Sequence, residues 1–322
     1  STRPNSLKTG EGAFMYLEHF KFTKSPFSLT PNTRFFCDLP THQDALNVLL
    51  LGLAQGEGFI KIVCEVGTGK TMLCRLLLNT LDEHFVTAYI PSPDQHSDSL
   101  YLSLAKELGV NTEPPISPHH ALNQITQHLL SLHRIGKQAV LIVDESQALS
   151  DSSLEAIRLL TNLETEEKKL LQVVLFGQPE LNEKLNRHHL RQLKQRITFS
   201  YQLKPLNKQE MTLYLHHRLA KAGYTYGMIF SKEAQKRLFY ASKGLPRLLN
   251  ILCHKALLVS YGRGLNCVDV RSVKRAIQDT ESIDHAYRFN KTHFVYVLIV
   301  GAVLLASIFT YQSGYLLERM AR

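Results

Sequence analysis

The chain has 322 residues, 44% hydrophobic and 20% charged, with a formal net charge of +9. This composition suits a folded protein with a good core, and the length allows two domains or one large domain with an appendage. The five cysteines (Cys37, Cys64, Cys74, Cys253, Cys267) form no C-x-x-C pair, which argues against a disulfide framework or zinc site and for a reducing compartment.

The basic balance permits nucleic acid or anionic lipid as a partner. No run of five or more Lys/Arg occurs, so charge selects neither, and nucleic acid is not the expected partner.

Residues 1–14 are expected to be a flexible extension ahead of Met15, without the apolar segment of a signal peptide. Residues 15–40 are aromatic and punctuated by proline. They read as an extended lead-in that packs on a later domain. Ala45–Leu53 is apolar at helical spacing, and Gly56-Glu-Gly58 ends it.

The apolar run Phe59–Val63 then leads into Cys64-Glu65-Val66-Gly67-Thr68-Gly69-Lys70-Thr71 and a helical pattern starting at Met72. Strand, glycine-rich turn, Lys-Thr and helix is the context of a phosphate-binding P-loop. Successive backbone N–H groups from Glu65 to Met72 would curl around phosphate oxygens at a helix N-terminus. Lys70 would reach the β- and γ-phosphates of ATP, and the Thr71 hydroxyl would hold Mg²⁺. The motif's usual first glycine is Cys64, which carries a penalty if that position needs positive φ.

Phe85–Ile90 is strand-like. Helical patterns follow near Ser99–Leu108 and Ala121–His133, with a proline-rich loop between them. Ala139–Val143 is a continuous apolar run, as in a parallel strand covered on both faces, and it ends in Asp144-Glu145. At the carboxyl end of such a strand Asp144 can orient Mg²⁺, and Glu145 can act as general base on the attacking water. A helix over Asp151–Leu163 precedes a further buried strand, Leu170–Phe176. Gln178, just past it, is placed to hold the water or read the γ-phosphate.

Arg191 and Arg196 precede a strand read over Arg196–Leu203. Either is suited to act in trans as an arginine finger, a role that requires a homo-oligomer. From 207 onward the pattern is helical, near 207–222, 231–241, 246–261 and 267–280. Pro246 opens the third of these helices, leaving Arg247 in its first turn to reach back to the nucleotide. The adjacent histidine pairs are not expected to bind metal.

The expected fold class is α/β. Residues 15–204 form a P-loop parallel-sheet nucleotide-binding domain, and 205–282 a smaller all-helical lid. Residues 294–311 hold eighteen residues without a charge. As a helix they span about 27 Å, which predicts a single transmembrane helix followed by a short external tail, 312–322. Because ATP is cytosolic, this places the nucleotide domain in the cytoplasm and the short tail on the other side of the membrane.

These motifs together resemble the AAA+ ATPases of the general secretion pathway protein A (ExeA-like) family, and most of all its MSHA-type pilus-biogenesis branch. The stretches that carry the likeness are Met15–Phe20, Pro26–Pro31, Glu65–Thr71, Val143–Leu149, Leu175–Leu181, Leu190–Ile197 and Gly244–Asn250. The resemblance implies ATP hydrolysis coupled to envelope assembly, with a pilus or secretion membrane protein as partner. Secretion members continue into a peptidoglycan-binding domain. About eleven residues follow Tyr311 here, so that activity is not expected, and the pilus branch is favoured. A second reading, a DNA-associated AAA+ protein of the transposition-regulator or helicase-loader kind, shares the core but has no need of the C-terminal span. A third, a non-hydrolysing nucleotide-dependent scaffold, rests on Cys64.

Overall fold

Strands that are apolar at every position, not at alternate ones, need cover on both faces, and the computed structural model supplies it. The structure describes residues 11–29, 35–93, 97–110, 117–166 and 168–280. Helices α1 (Glu11–His19) and α2 (Pro40–Ala54) lead to strand β1 (Phe59–Cys64), α3 (Lys70–Thr80) and β2 (Phe85–Ile90). Next come α4 (Ser97–Glu107), α5 (Pro118–Arg134), β3 (Gln138–Val143), α6 (Asp151–Leu160) and β4 (Leu171–Gly177). Two short helices, α7 (Glu180–Leu185) and α8 (Arg191–Gln195), precede β5 (Phe199–Leu203). The chain closes with α9 (Lys208–Lys221), α10 (Lys232–Ser242), α11 (Pro246–Gly262) and α12 (Val270–Gln278).

All five strands are parallel, in the order β2-β3-β4-β1-β5. Alternation sends Ile60, Ile62, Val140, Ile142, Val174 and Phe176 to the face covered by α2 and α3. Phe59, Leu141, Val143, Val173 and Leu175 face the opposite layer, built from α4, α5 and α6. The strand order has a functional consequence. β4 lies between β1 and β3, with Val63 paired to Gly177 and Val143 to Leu175. The residues that follow these three strands therefore emerge side by side at the carboxyl edge of the sheet, where ligands of such folds bind.

The lead-in departs from its sequence reading. It begins as helix α1, which takes in part of the predicted flexible extension. Its side chains Tyr16, Phe20, Phe22, Phe27 and Leu39 share one core with Leu215, Phe230, Leu252 and Val273 of the helical region. The predicted packing on a later part of the chain holds, and the predicted extended conformation does not. Arg218 of α9 fastens it: Nε donates to the Pro26 carbonyl at 2.6 Å and an Nη to the Ser28 carbonyl at 3.1 Å. The guanidinium also lies over the Phe35 ring, 4.9 Å from its centroid.

The strand predicted over 196–203 starts at Phe199, because Arg196 still caps α8. The predicted membrane span at 294–311 and its tail lie outside the described residues. Among the described residues no helix is long and apolar enough to cross a membrane.

Candidate functional site

The loop between β1 and α3 lines a cleft of about 390 Å³, closed on the other sides by the lead-in, α9 and the start of α11. Every residue from Glu65 to Met72 borders it, together with Glu145, Gln178 and Arg247. Gly69 is the N-cap of α3, so the helix's free N–H groups point into this space. Thr68 Oγ1 donates to the Glu65 carbonyl at 2.8 Å and closes the loop on itself.

Gly67 is a position where only glycine fits. Its φ is +84°, and a Cβ there would come within 2.9 Å of Arg247 Cβ. The Arg247 backbone N–H in turn donates to the Gly67 carbonyl at 3.1 Å. The arginine is thus held at the phosphate loop by main chain as well as by sequence position. Gly244, just ahead of α11, makes a second close approach. Its φ is +73°, and a side chain on it would meet the Leu206 carbonyl oxygen at 2.1 Å. Leu206 N–H also donates to the Gly244 carbonyl at 2.9 Å.

Cys64 is the last residue of β1, with extended backbone outside the left-handed region. The missing glycine therefore carries no conformational penalty. The side chain is 1% exposed, and burial pushes its thiol up to about 11. Restoring the consensus by Cys64→Gly is expected to lower stability by about 1–2 kcal/mol, through lost packing and a freer backbone. Turnover should not rise. Urea denaturation beside a phosphate-release assay checks both.

Asp144 and Glu145 follow β3 as the sequence predicts. Lys70 Nζ sits 3.1 Å from Asp144 Oδ1 and 2.5 Å from Glu145 Oε1, so one ammonium bridges both carboxylates. Asp144 is 3% exposed. Its Oδ1 also accepts the Glu145 backbone N–H at 2.8 Å, and its Oδ2 accepts the Thr71 hydroxyl at 3.3 Å. Oxygen donors from Thr71 and Asp144 converging on one point are the donor set a hard divalent cation such as Mg²⁺ takes.

Glu145 has φ +50°, in the left-handed region, which turns its carboxylate back over the cleft. Burial alone would push its pKa up. Hydrogen bonds from Lys70, Gln147 and Gln178 outweigh that, and the net shift is downward, so the group is ionised and able to accept a proton. Gln178 Nε2 donates to Glu145 Oε2 at 3.0 Å.

The arrangement therefore brings together Lys70, Thr71, Asp144, Glu145, Gln178 and Arg247. It does not bring Arg191 or Arg196 into the cleft. Arg191 is exposed, and Arg196 donates to Thr161 Oγ1 at 3.1 Å.

Sequence reasoning missed the opposite wall. Phe35, Phe36, His42, Tyr214, Arg218 and Asn250 complete the cleft. Tyr214 donates its hydroxyl to Asn250 Oδ1 at 3.0 Å. His42, buried at the start of α2, has Nδ1 without a partner among the described residues, and burial holds its pKa below the usual imidazole range. The available signal was the aromatic cluster at Phe35-Phe36, because flat apolar side chains beside a phosphate loop suit a purine ring.

The model of the AAA domain family matches residues 53–185. General secretion pathway protein A of Aeromonas hydrophila is 38% identical over 293 residues, covering 91% of this chain and 53% of that protein. The chain thus spans about half the length of the curated relative it matches. Among solved structures, Cdc6p of Pyrobaculum aerophilum has a TM-score of 0.62 at 18% identity, covering 78% of this chain and 69% of that one. The ORC1 protein of Aeropyrum pernix, solved in complex with DNA, has a TM-score of 0.58 at 17% identity, covering 80% and 70%. The ORC2 protein of the same organism, in its ADPNP-ADP complexes, has 0.53 at 16%, covering 78% and 72%. At these identities the structural likeness is one of fold. Residues 53–185 thus match an AAA domain, and the chain is similar over most of its length to general secretion pathway protein A.

Proposed function

We propose that the chain binds Mg·ATP in this cleft, hydrolyses it, and uses the cycle to support assembly of a type II secretion system or an MSHA-type pilus from the inner membrane. The observation that carries the enzymatic part is the convergence of Lys70, Asp144, Glu145 and Gln178 on one point beside the phosphate loop. The loop amides and Lys70 bind the β- and γ-phosphates. Phe35, Phe36 and Tyr214 offer the base an aromatic wall. When bound, Mg²⁺ held by Thr71 and Asp144 supplies positive charge against the phosphate oxygens. Glu145 takes the proton of the attacking water, Gln178 holds that water in line, and Arg247 reports the nucleotide to the helical region.

Arg191 and Arg196 lie away from their own chain's cleft, which is where a finger acting on a neighbouring copy must lie. The proposal therefore includes a homo-oligomer, in which one of them completes the partner's site.

The assembly role rests on the 38% identity to general secretion pathway protein A, and the membrane tether on the uncharged run 294–311. After carbonate washing, the full chain is expected to stay with the membrane pellet. Its release into the soluble fraction would sink the tether and restore the DNA-associated reading. In that reading, duplex DNA binding should weaken steeply with salt.

A further inference from the structure

We propose that Gln147 is the positioning residue for the general base: its side-chain amide holds Glu145 while Lys70 exchanges the carboxylate for phosphate. The inference rests on the reading of Glu145 as base, and it concerns a residue that does not border the cleft.

Glu145 is held at both oxygens. Oε1 faces Lys70 Nζ at 2.5 Å, and Oε2 accepts from Gln178 Nε2 at 3.0 Å and from Gln147 Nε2. The first contact cannot survive nucleotide binding unchanged, because the ammonium that makes it is the group that meets the β- and γ-phosphates. As phosphate oxygens compete for Lys70, Oε1 becomes free to take a proton. The orientation of the carboxylate then depends on what remains at Oε2, and two amides remain. Gln178 is also placed to meet the water, which would draw its amide away. Gln147 has no such second task.

The Gln147 amide is fixed at both ends. Its Oε1 accepts the backbone N–H of Gln178 at 3.1 Å. A main-chain N–H can only donate, so the atom facing it must be the oxygen, which leaves the amide nitrogen facing Glu145. The turn that carries Gln147, the single 3-10 turn Ser146–Ala148, is pinned from outside. Lys184 Nζ of α7 donates to the carbonyls of Gln147 at 2.7 Å and Leu149 at 2.5 Å, and Ser146 Oγ donates to the Val143 carbonyl at 2.9 Å. One side chain thus ties the end of β3 to the end of β4, and the base to the water-binding Gln178. It also keeps Glu145 in its left-handed conformation when the Lys70 contact is relaxed.

The test uses the full chain in detergent, measuring single-turnover phosphate release and the affinity for a fluorescent ATP analogue. Gln147→Ala should lower the hydrolysis rate at least about tenfold, because a base displaced by a fraction of an ångström loses most of its advantage. Nucleotide affinity should stay within about twofold, since Gln147 touches no part of the phosphate site. In a Glu145→Gln background, adding Gln147→Ala should change the residual rate by less than about twofold, because there is no base left to position. Gln147→Glu keeps the volume and the acceptor toward Gln178 N–H but cannot donate to a carboxylate. It should reproduce the loss, and it carries the test if the alanine variant unfolds. A wild-type rate in both Gln147 variants, or a loss that multiplies with Glu145→Gln, overturns the proposal. If Glu145→Gln itself hydrolyses at the wild-type rate, the assignment of the base falls, and this inference falls with it.

Discussion

Glu145→Gln is expected to bind ATP at least as tightly as the wild type and to hydrolyse it about 10²–10⁴-fold more slowly, the usual contribution of a positioned general base. The substitution is close to isosteric. A glutamine there still offers a carbonyl oxygen to the Gln147 and Gln178 amides that now bond Glu145 Oε2. It loses proton affinity and the ion pair with Lys70. That pair competes with phosphate for the same ammonium, so its loss favours nucleotide binding and cannot explain slower turnover. Affinity of the analogue and phosphate release, measured on one preparation, separate the two effects. Weaker binding with unchanged turnover would show that Glu145 serves Lys70 and not the water.

The second large effect is expected from Lys70→Ala, and it has two parts. Without the ammonium, Asp144 is a nearly buried carboxylate with only the Thr71 hydroxyl and the Glu145 N–H as donors among the described residues. An unpaired buried charge of this kind destabilises by about 3 kcal/mol, so the ligand-free variant should melt well below the wild type. The other part concerns the nucleotide. Wild-type protein at a hundred times its dissociation constant for Mg·ATP should gain about 2.7 kcal/mol of stability by linkage. The variant should gain almost nothing, because its phosphate loop has lost its one side-chain cation. Thermal melts with and without Mg·ATP read both parts. A variant that is destabilised without ligand yet rescued fully by Mg·ATP would place the phosphate contact elsewhere, with Arg247 the first alternative.

The site's sheet side was legible in the sequence because each of its features is local. An apolar run ending in Cys64 and a Gly-x-Gly-Lys-Thr turn define one strand end. Another apolar run ending in Asp144-Glu145 defines the second, and Gln178 follows the third. The predicted strands match the observed ones to within about a residue at most ends, apart from the start of β5. That start was misread because α8, a helix of five residues, is too short to show a helical period and left Arg196 looking extended.

The other wall was not legible, for a different reason. Phe35, Phe36 and His42 belong to a segment whose hold on the helical region depends on Arg218, about 190 residues away in sequence. No local pattern announces such a pairing. Helix α1 was hidden likewise, since its stability comes from burying Tyr16 against α11 and not from a strong propensity of its own. Gln147 escaped notice because a single 3-10 turn has neither period nor cap signature. Its role emerges only when the ends of β3 and β4 are seen together.

The central claim is that one cleft both binds ATP and carries out its hydrolysis through Glu145. Phosphate release by the full chain at saturating Mg·ATP, with the wild type and Glu145→Gln assayed in parallel, tests it most directly. The account predicts sustained multiple turnovers by the wild type and a loss of at least about a hundredfold in the variant. Equal, slow release by the two proteins would contradict it, leaving a nucleotide-binding scaffold in place of a hydrolase.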